Sequence, residues 1–315
     1  MAQVASAFGT RLWVLIDEWS TIPEALQPYL ADFLKRVVFP INSVSVTIVA
    51  IEQRSKFRKD GEHLPVGIEL GSDAFADINL DDYLVFENNP KASAEFFREL
   101  IFRHLTAIYP IKSLPVQNAQ QLQEQAFTQE AAFLELVRAS EGVPRDFINI
   151  LQIAATKAGE HKISVPTIRS AAKDWYERDK AAFIDSNQAG SDLLHWVVDT
   201  VIGGRKARAF LVRSDVRDTI LDRLFDERIL HIAKRSYSAK EEPGVRYKVW
   251  KIDYGCYADF INTSKAPTGF LFENQNVEGD SYIPEDDLRA VRRSVLNLDD
   301  FYTAFPAAQH SLPTQ

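Results

Sequence analysis

The sequence of 315 residues contains a single cysteine, Cys256, and no group of Cys and His residues with the spacing of a metal site. One cysteine excludes an intramolecular disulfide framework of the kind that stabilises small secreted proteins. No stretch approaches the roughly 18 consecutive apolar residues of a membrane helix, and the N-terminus lacks the basic start and uncharged core of a signal peptide. We therefore expect a globular, cytoplasmic protein without a membrane segment.

An excess of positive charge is also absent, because the formal net charge of the chain is -8. This balance excludes a protein that coats nucleic acid over its whole surface. The charge is uneven, however, since residues 203–251 hold thirteen Lys and Arg against seven Asp and Glu. An acidic body with a basic C-terminal module is common in proteins that touch DNA or RNA through one appendage. A solvated face of mixed charge is the alternative interpretation.

Two short apolar runs dominate the N-terminal part. Residues 12–16 (LWVLI) are followed by Asp17 and Glu18, and residues 44–51 form a second run rich in Val and Ile. Such runs are typical of strands that are buried on both faces of a parallel sheet. Between them, apolar residues recur every three or four positions through residues 23–38, which predicts a helix. The resulting βαβ unit places both acids at the carboxyl end of its first strand, where open parallel sheets bind ligands.

The rest of the chain predicts a change of architecture. A helix is expected over residues 93–108, followed by a wholly helical block in which helices open at Pro144 and Pro166, because proline is favoured in a first helical turn. After a linker-like SNQAGS, a helix, a short strand, a helix over 215–225 and two alternating strands predict a winged helix-turn-helix. We expect four parts: a partial nucleotide-binding core (1–115), a helical lid (116–187), a winged helix (191–262) and a tail (263–315).

The acid pair carries the strongest chemical signal. Hydrolysis of a nucleoside triphosphate needs Mg²⁺ near the β and γ phosphates and a carboxylate that orients the attacking water. An acid at the tip of a buried strand can serve the metal, and its neighbour can serve the water. Acids that merely cap or solubilise the end of a strand are the alternative.

Three stretches together resemble a known family. VLIDEW resembles a Walker B motif, SVTIVAIEQRS resembles the sensor-1 strand, and GVPRDFINIL resembles the helix start that carries sensor 2 in AAA+ ATPases of the origin-recognition initiator type. The resemblance extends over residues 10–255, and its Walker B and sensor-2 stretches are the specific ones. It implies an α/β fold, with a partial parallel-sheet P-loop ATPase core, an all-helical lid and a C-terminal winged helix.

The same resemblance implies ATP and Mg²⁺ as ligands. Asp17 would hold Mg²⁺ through water, Glu18 would orient the attacking water, and Arg145 would reach the γ-phosphate from the lid. The sensor-1 position departs from the Asn, Ser or Thr of the family, and Gln53 would supply the polar amide there despite the adjacent Glu52. An ordinary surface arginine is the alternative for Arg145.

A phosphate-binding loop is absent from the sequence, which contains no Gly-Lys pair and therefore no Gly-x-x-x-x-Gly-Lys-[Ser/Thr]. We expect an AAA+ ATPase that is incomplete as given, either because its reading frame is truncated or because another polypeptide supplies the front half. This chain alone should bind ATP poorly, and residues 12–16 should expose an apolar edge unless a partner covers them. The alternative is a catalytically silent DNA-binding or protein-adaptor protein that uses its winged helix.

Basic residues concentrate in the predicted hairpin, where phosphate contacts would give salt-sensitive binding of double-stranded DNA. Four aspartates in the preceding helix would repel phosphates if they faced the groove, so docking of a protein partner or self-association is also open. The candidate nucleic-acid contacts are Lys234, Arg235, Lys240, Arg246 and Lys248.

Overall fold

The structure is a computed structural model with helices and small sheets, and it divides into two compact units, residues 1–78 and 79–315. The structure describes residues 7, 9–51, 54–61, 64–75, 78–86, 88–238, 244–261 and 294–309, with the backbone alone at Asp81, Asp82 and Arg235. Within these residues, no helix combines the length and the apolar character needed to cross a bilayer.

The first unit is built on the βαβ motif that the sequence predicts. Strand β1 (Leu12–Ile16) pairs in parallel with β2 (Val44–Ile48). The connecting helix α1 (Gln27–Phe33) has a proline in its first turn and continues as the π-helical segment Leu34–Val38. The antiparallel pair β3 (Arg58–Lys59) and β4 (Val66–Gly67) packs against α1. Asp17 and Glu18 therefore follow β1 at the carboxyl edge of the parallel pair.

The parallel strands are covered on one face, not on both as we expected. Their inner face packs with α1 around a small core whose fully buried members include Trp19 and Ala31. On the outer face, the side chains of Trp13 and Leu15 are 63% and 72% exposed. The reason is that the described residues place a helix on one side of β1 only. An unbroken apolar run predicts a strand, but it does not predict which elements cover its two faces.

The second unit begins with helices whose starts follow ordinary capping chemistry. Asn89 caps α3 by accepting the Ala92 N–H at 3.1 Å, and Asn118 caps α4 by accepting the Gln121 N–H at 2.9 Å. Proline occupies the first turn of α3, α6 and α7. These helices are α2 (Asp81–Leu84), α3 (Pro90–Ile108), α4 (Ala119–Ala126), α5 (Glu130–Ala139), α6 (Pro144–Ala158), α7 (Val165–Asp179) and α8 (Ala181–Ser186).

A three-stranded antiparallel sheet follows. Helix α9 (Gln188–Val197) continues as the π-helical segment Val198–Gly204 and leads into the sheet, whose strand order is β5-β7-β6. Residues 209–238 are all described, and they contain one helix between β5 and β6. The elements are β5 (Ala209–Arg213), α10 (Thr219–Asp226), β6 (Leu230–Ser238) and β7 (Arg246–Ile252).

Helix α10 starts later than the predicted residue 215. The Asp218 carboxylate accepts the N–H groups of Ile220 and Leu221 at 3.0 and 2.8 Å, which fixes Asp218 as the cap and Thr219 as the first helical residue. Near the end of the described chain, helices α11 (Leu298–Ala304) and α12 (Pro306–Gln309) follow.

One apolar core runs through the helices and the sheet of the second unit. Phe97 of α3 stacks on Phe147 of α6 with ring centroids 4.4 Å apart, and the same cluster includes Phe210 and Trp250 of the sheet. The fully buried Phe301 of α11 joins it. The helical block and the strands are therefore packed as one body.

Candidate functional site

Asp17 and Glu18 lie at the end of β1 with both side chains exposed. The Glu18 N–H donates to Asp17 Oδ1 at 2.8 Å, and neither carboxylate forms an ion pair with any other described residue. Glu18 has the left-handed backbone conformation (φ 55°, ψ 37°), which turns the chain sharply at the strand end. Such a conformation is uncommon for a residue with a side chain, and Glu141, Lys206 and Arg228 share it.

The segment after the acid pair is anchored by the next residue. Trp19 is fully buried and stacks on Phe57 with ring centroids 5.2 Å apart. Its backbone N–H donates to the Val49 carbonyl at 3.3 Å, just after β2. The Ser20 hydroxyl accepts the Ile51 N–H at 2.7 Å. The loops after β1 and β2 are therefore joined by hydrogen bonds, and these bonds hold the backbone that follows the two acids.

The donor set of this edge fits a hard cation better than it fits a triphosphate. Mg²⁺ in phosphoryl-transfer sites takes one or two carboxylates and completes its shell with water and phosphate oxygens, and Asp17 and Glu18 are two such carboxylates. No group of three or more His, Cys, Asp and Glu residues suited to a metal occurs among the described residues. Without the Gly-Lys loop, the sequence provides no cradle for the phosphates. The fit therefore extends to the metal alone.

The predicted sensor-1 residue, Gln53, and its neighbour Glu52 lie outside the described residues. The nearest described position is Arg54, whose N–H donates to the Ile51 carbonyl at 3.0 Å. A role for Gln53 beside a nucleotide stays a prediction.

Arg145 lies in the second unit, in the first turn of α6, directly after Pro144. Its side chain is exposed and has no ion pair with another described residue. The turn before it needs glycine, because Gly142 has φ +79° and a Cβ there would lie 2.9 Å from the Val85 nitrogen. Arg145 lies at the N-terminus of α6, where a positive charge does not stabilise the helix. Because its side chain is exposed and forms no ion pair with a described residue, it could contact an anionic ligand.

The residue next to it, Asp146, belongs to a buried ion network that the sequence did not reveal. The Asp146 carboxylate forms ion pairs with Lys180 Nζ at 2.9 Å and with Arg228 Nη1 at 2.6 Å. Lys180 also bonds Asp253, which accepts His231 Nε2 at 3.1 Å. Burial raises the pKa of Asp253, but attraction to Lys180 and the hydrogen bond from His231 outweigh it and lower that pKa to about 2. The network ties α6 and the end of α7 to the sheet.

Two further buried acids repeat this arrangement. Glu135 of α5 accepts Arg169 Nε and the Tyr254 hydroxyl, both at 2.6 Å. Glu141, between α5 and α6, lies 2.5 Å from Lys251 Nζ of β7. Glu135 and Glu141 thus contact β7 or the segment that follows it, and Asp146 contacts Arg228, which lies between α10 and β6. Only Glu135 left a signal in the sequence, since it interrupts an apolar stripe formed by Ala132, Leu136 and Ala139.

The basic surface of the hairpin is described in part. Lys234 and Arg246 are exposed, and Arg246 donates to the Ser236 hydroxyl at 3.2 Å. Lys248 is half-buried, and burial together with repulsion from Arg217 lowers its pKa. Lys240 and the side chain of Arg235 lie outside the described residues.

The aspartates of this region are largely committed to other contacts. Asp218 is the buried cap of α10 and also accepts the Tyr302 hydroxyl. Asp215 forms an ion pair with Arg213 at 2.7 Å. Neither acid lies within α10, which begins at Thr219, and the charge of Asp215 is balanced by Arg213.

Comparison with protein-family models, with curated proteins and with solved structures gave no match.

Proposed function

We propose that this chain supplies the magnesium-binding strand of an ATP-hydrolysing module of the AAA+ initiator type, and that polypeptide outside this sequence provides the phosphate-binding loop. The observation that carries the proposal is the placement of Asp17 and Glu18: two exposed acids, without ion pairs among the described residues, at the carboxyl end of a parallel strand. In this role Asp17 holds Mg²⁺ and Glu18 orients water. Mg²⁺ supplies charge neutralisation for the phosphates when it is bound.

The outer face of β1 supports the second half of this proposal. Parallel strands are normally covered on both faces, whereas Trp13, Leu15 and Val49 are each more than half exposed. An additional layer from another polypeptide accounts for this apolar surface. Arg145 adds support of a different kind, because an exposed arginine without an ion pair among the described residues is suited to bind a phosphate.

The metal half of the proposal is tested on the chain as it exists, with Mn²⁺ as the paramagnetic substitute for Mg²⁺. In amide NMR spectra, Mn²⁺ should broaden the signals of Asp17, Glu18 and Trp19 first. Asp17→Asn should abolish this selective broadening. The matched control is Asp60→Asn, which removes a 94% exposed acid of the same unit and should leave the response unchanged. Equal broadening in the wild type and Asp17→Asn contradicts the proposal.

The phosphate half is tested by calorimetry with Mg-ATP. Without a phosphate cradle, the chain alone should bind ATP no more tightly than about 1 mM, which corresponds to only about 4 kcal/mol of binding free energy. A micromolar dissociation constant would show that this chain contains its own phosphate site.

A second candidate function is a module that binds DNA through a winged helix without turning over ATP. It is favoured by the exposed Lys234 and Arg246 and by the commitment of Asp215 and Asp218 to other contacts. Fluorescence anisotropy with duplex DNA at increasing salt tests it. The double substitution of Lys234 and Arg246 by Glu should reduce the salt slope by about 2. Lys112→Glu, at an exposed lysine far along the chain, should not, and an unchanged slope in the double variant excludes this surface.

A further inference from the structure

Gln27 is a polar side chain that is fully buried in the first unit. It starts α1 and continues, at helical spacing, the buried stripe formed by Ala31, Leu34 and Val38. A buried amide needs hydrogen-bond partners, because burial without them costs several kilocalories per mole of folding free energy. The hydrogen-bond partners of Gln27 therefore indicate its structural role.

All three partners are backbone groups of the two loops at the carboxyl edge. Gln27 Nε2 donates to the Ile22 carbonyl at 2.8 Å and to the Arg54 carbonyl at 3.0 Å. Gln27 Oε1 accepts the Lys56 N–H at 2.6 Å. The two carbonyls require the NH₂ end of the amide and the N–H requires its oxygen, so the bonding pattern fixes the orientation of the group. Glutamate could not replace it, since a carboxylate offers no donor.

These bonds join the segment that follows the acid pair to the segment that follows β2. Ile22 closes the short 3-10 turn Trp19–Thr21, which starts directly after Glu18. Arg54 and Lys56 lie beyond the end of β2. The same loops are also joined by the Ile51 N–H, which donates to the Ser20 hydroxyl at 2.7 Å, by the contact of the Ser20 and Ser55 hydroxyls at 3.4 Å, and by the bond from Trp19 to Val49. Among the described residues, Asp17 and Glu18 are also held by the bond between them and by Thr21, whose backbone N–H and hydroxyl both donate to the Glu18 carbonyl, at 2.9 and 2.8 Å.

We propose that Gln27 is a positioning residue for the acid pair: its amide clamps the loop after β1 to the loop after β2 and so keeps Asp17 and Glu18 in one placement at the sheet edge. This inference rests on the proposed function, which gives the two acids a metal to hold. Gln27 touches no ligand itself, and it acts through the backbone that carries the acids. Groups that orient metal ligands without touching the metal influence metal affinity strongly.

The test measures Mn²⁺ affinity at Asp17 from the concentration dependence of amide broadening in Gln27→Met. Methionine keeps the length of the side chain and removes the three hydrogen bonds. The apparent dissociation constant should rise by about tenfold. Leu34→Ala is the matched control, because Leu34 belongs to the same small core and makes no side-chain hydrogen bond to either loop. It should lower the thermal midpoint while leaving the Mn²⁺ affinity unchanged.

Gln27→Asn provides a second variant in case Gln27→Met does not fold. It keeps an amide but is one methylene shorter, so it should retain part of the clamp and give an affinity between those of the wild type and Gln27→Met. Wild-type affinity in a folded Gln27 variant overturns the positioning role and leaves the proposed function intact. The same loss of affinity in Leu34→Ala also overturns it. A wild-type chain without selective broadening at Asp17 overturns the proposed function and, with it, the clamp.

Discussion

Two groups of acidic residues, one in each unit, have opposite surroundings. In the second unit, Glu135, Glu141 and Asp146 are almost completely buried, and each contacts one or more cations at close range. In the first unit, Asp17 and Glu18 are exposed and form no ion pair with another described residue. The buried acids pair with cations inside the protein, whereas we propose that the exposed pair binds a metal.

The difference has a thermodynamic side. In a buried ion pair, the attraction between the charges roughly offsets the free energy of their desolvation. Removing one partner leaves an uncompensated charge in the interior, which is strongly destabilising. An exposed acid has no such dependence, and its removal is nearly neutral for folding. Stability measurements on matched variants can therefore separate structural acids from candidate ligands.

The largest effect should follow from Asp146→Ala. It leaves the buried Lys180 with one acid and deprives Arg228 of one of its two acidic partners, the other being Asp179, which should lower the free energy of unfolding by about 3–5 kcal/mol. Urea unfolding followed by circular dichroism measures this. The matched control is Asp174→Ala, which removes a half-exposed pair with Lys157 and should cost less than about 1 kcal/mol. Equal losses in the two variants would contradict the distinction.

The next effect is a pH dependence from Asp253. Because its pKa in the folded protein is about 2, below the unfolded value of 3.8, the stabilisation is complete above the unfolded value and is lost as pH falls from about 4 toward about 2. Between these limits the wild type should lose about 2 kcal/mol more than Asp253→Asn. Urea unfolding of both proteins across this range checks it. Parallel curves would show that Asp253 contributes nothing to acid sensitivity.

A smaller effect is expected from Asp218→Ala. This variant removes the cap of α10 and should cost about 1 kcal/mol. Asp218 also accepts the Tyr302 hydroxyl, and burial together with this bond raises the pKa of Tyr302. Asp215→Ala is the control, since it disrupts only an exposed pair with Arg213. Thermal unfolding distinguishes the two, and a loss in the control as large as in Asp218→Ala would show that capping is not the cause.

The sequence predicts individual helices and strands well, because these depend on hydrophobic periodicity and on helix caps. The parallel pair β1 and β2, the helix between them and the start of α6 at Pro144 all follow from residues close together in the chain. The sequence also predicts that residues 12–16 expose apolar side chains, but not that one face of β1 is covered and the other is not, since coverage depends on which elements pack there.

The buried polar groups were harder to predict, for a related reason. Asp146 follows an arginine and Lys180 follows Asp179, so each looks like part of a solvated charged surface. Their partners lie far away in sequence, and only the fold brings them together. Glu135 and Gln27 are different, because each occupies a position within an apolar helical stripe. A polar residue at such a position is a signal that a single sequence can provide.

The smallest effect on folding should come from Asp17→Asn, which makes it the sharpest test of the comparison. Among the described residues, the Asp17 carboxylate bonds only the N–H of its neighbour, and an asparagine oxygen can accept the same bond, so the free energy of unfolding should change by no more than about 0.5 kcal/mol. The same substitution should remove the selective response to Mn²⁺. A variant that is as stable as the wild type but does not bind the metal separates a ligand from a structural acid. A loss of several kilocalories per mole would place Asp17 with the buried acids of the second unit and remove the main support for a metal at the end of β1.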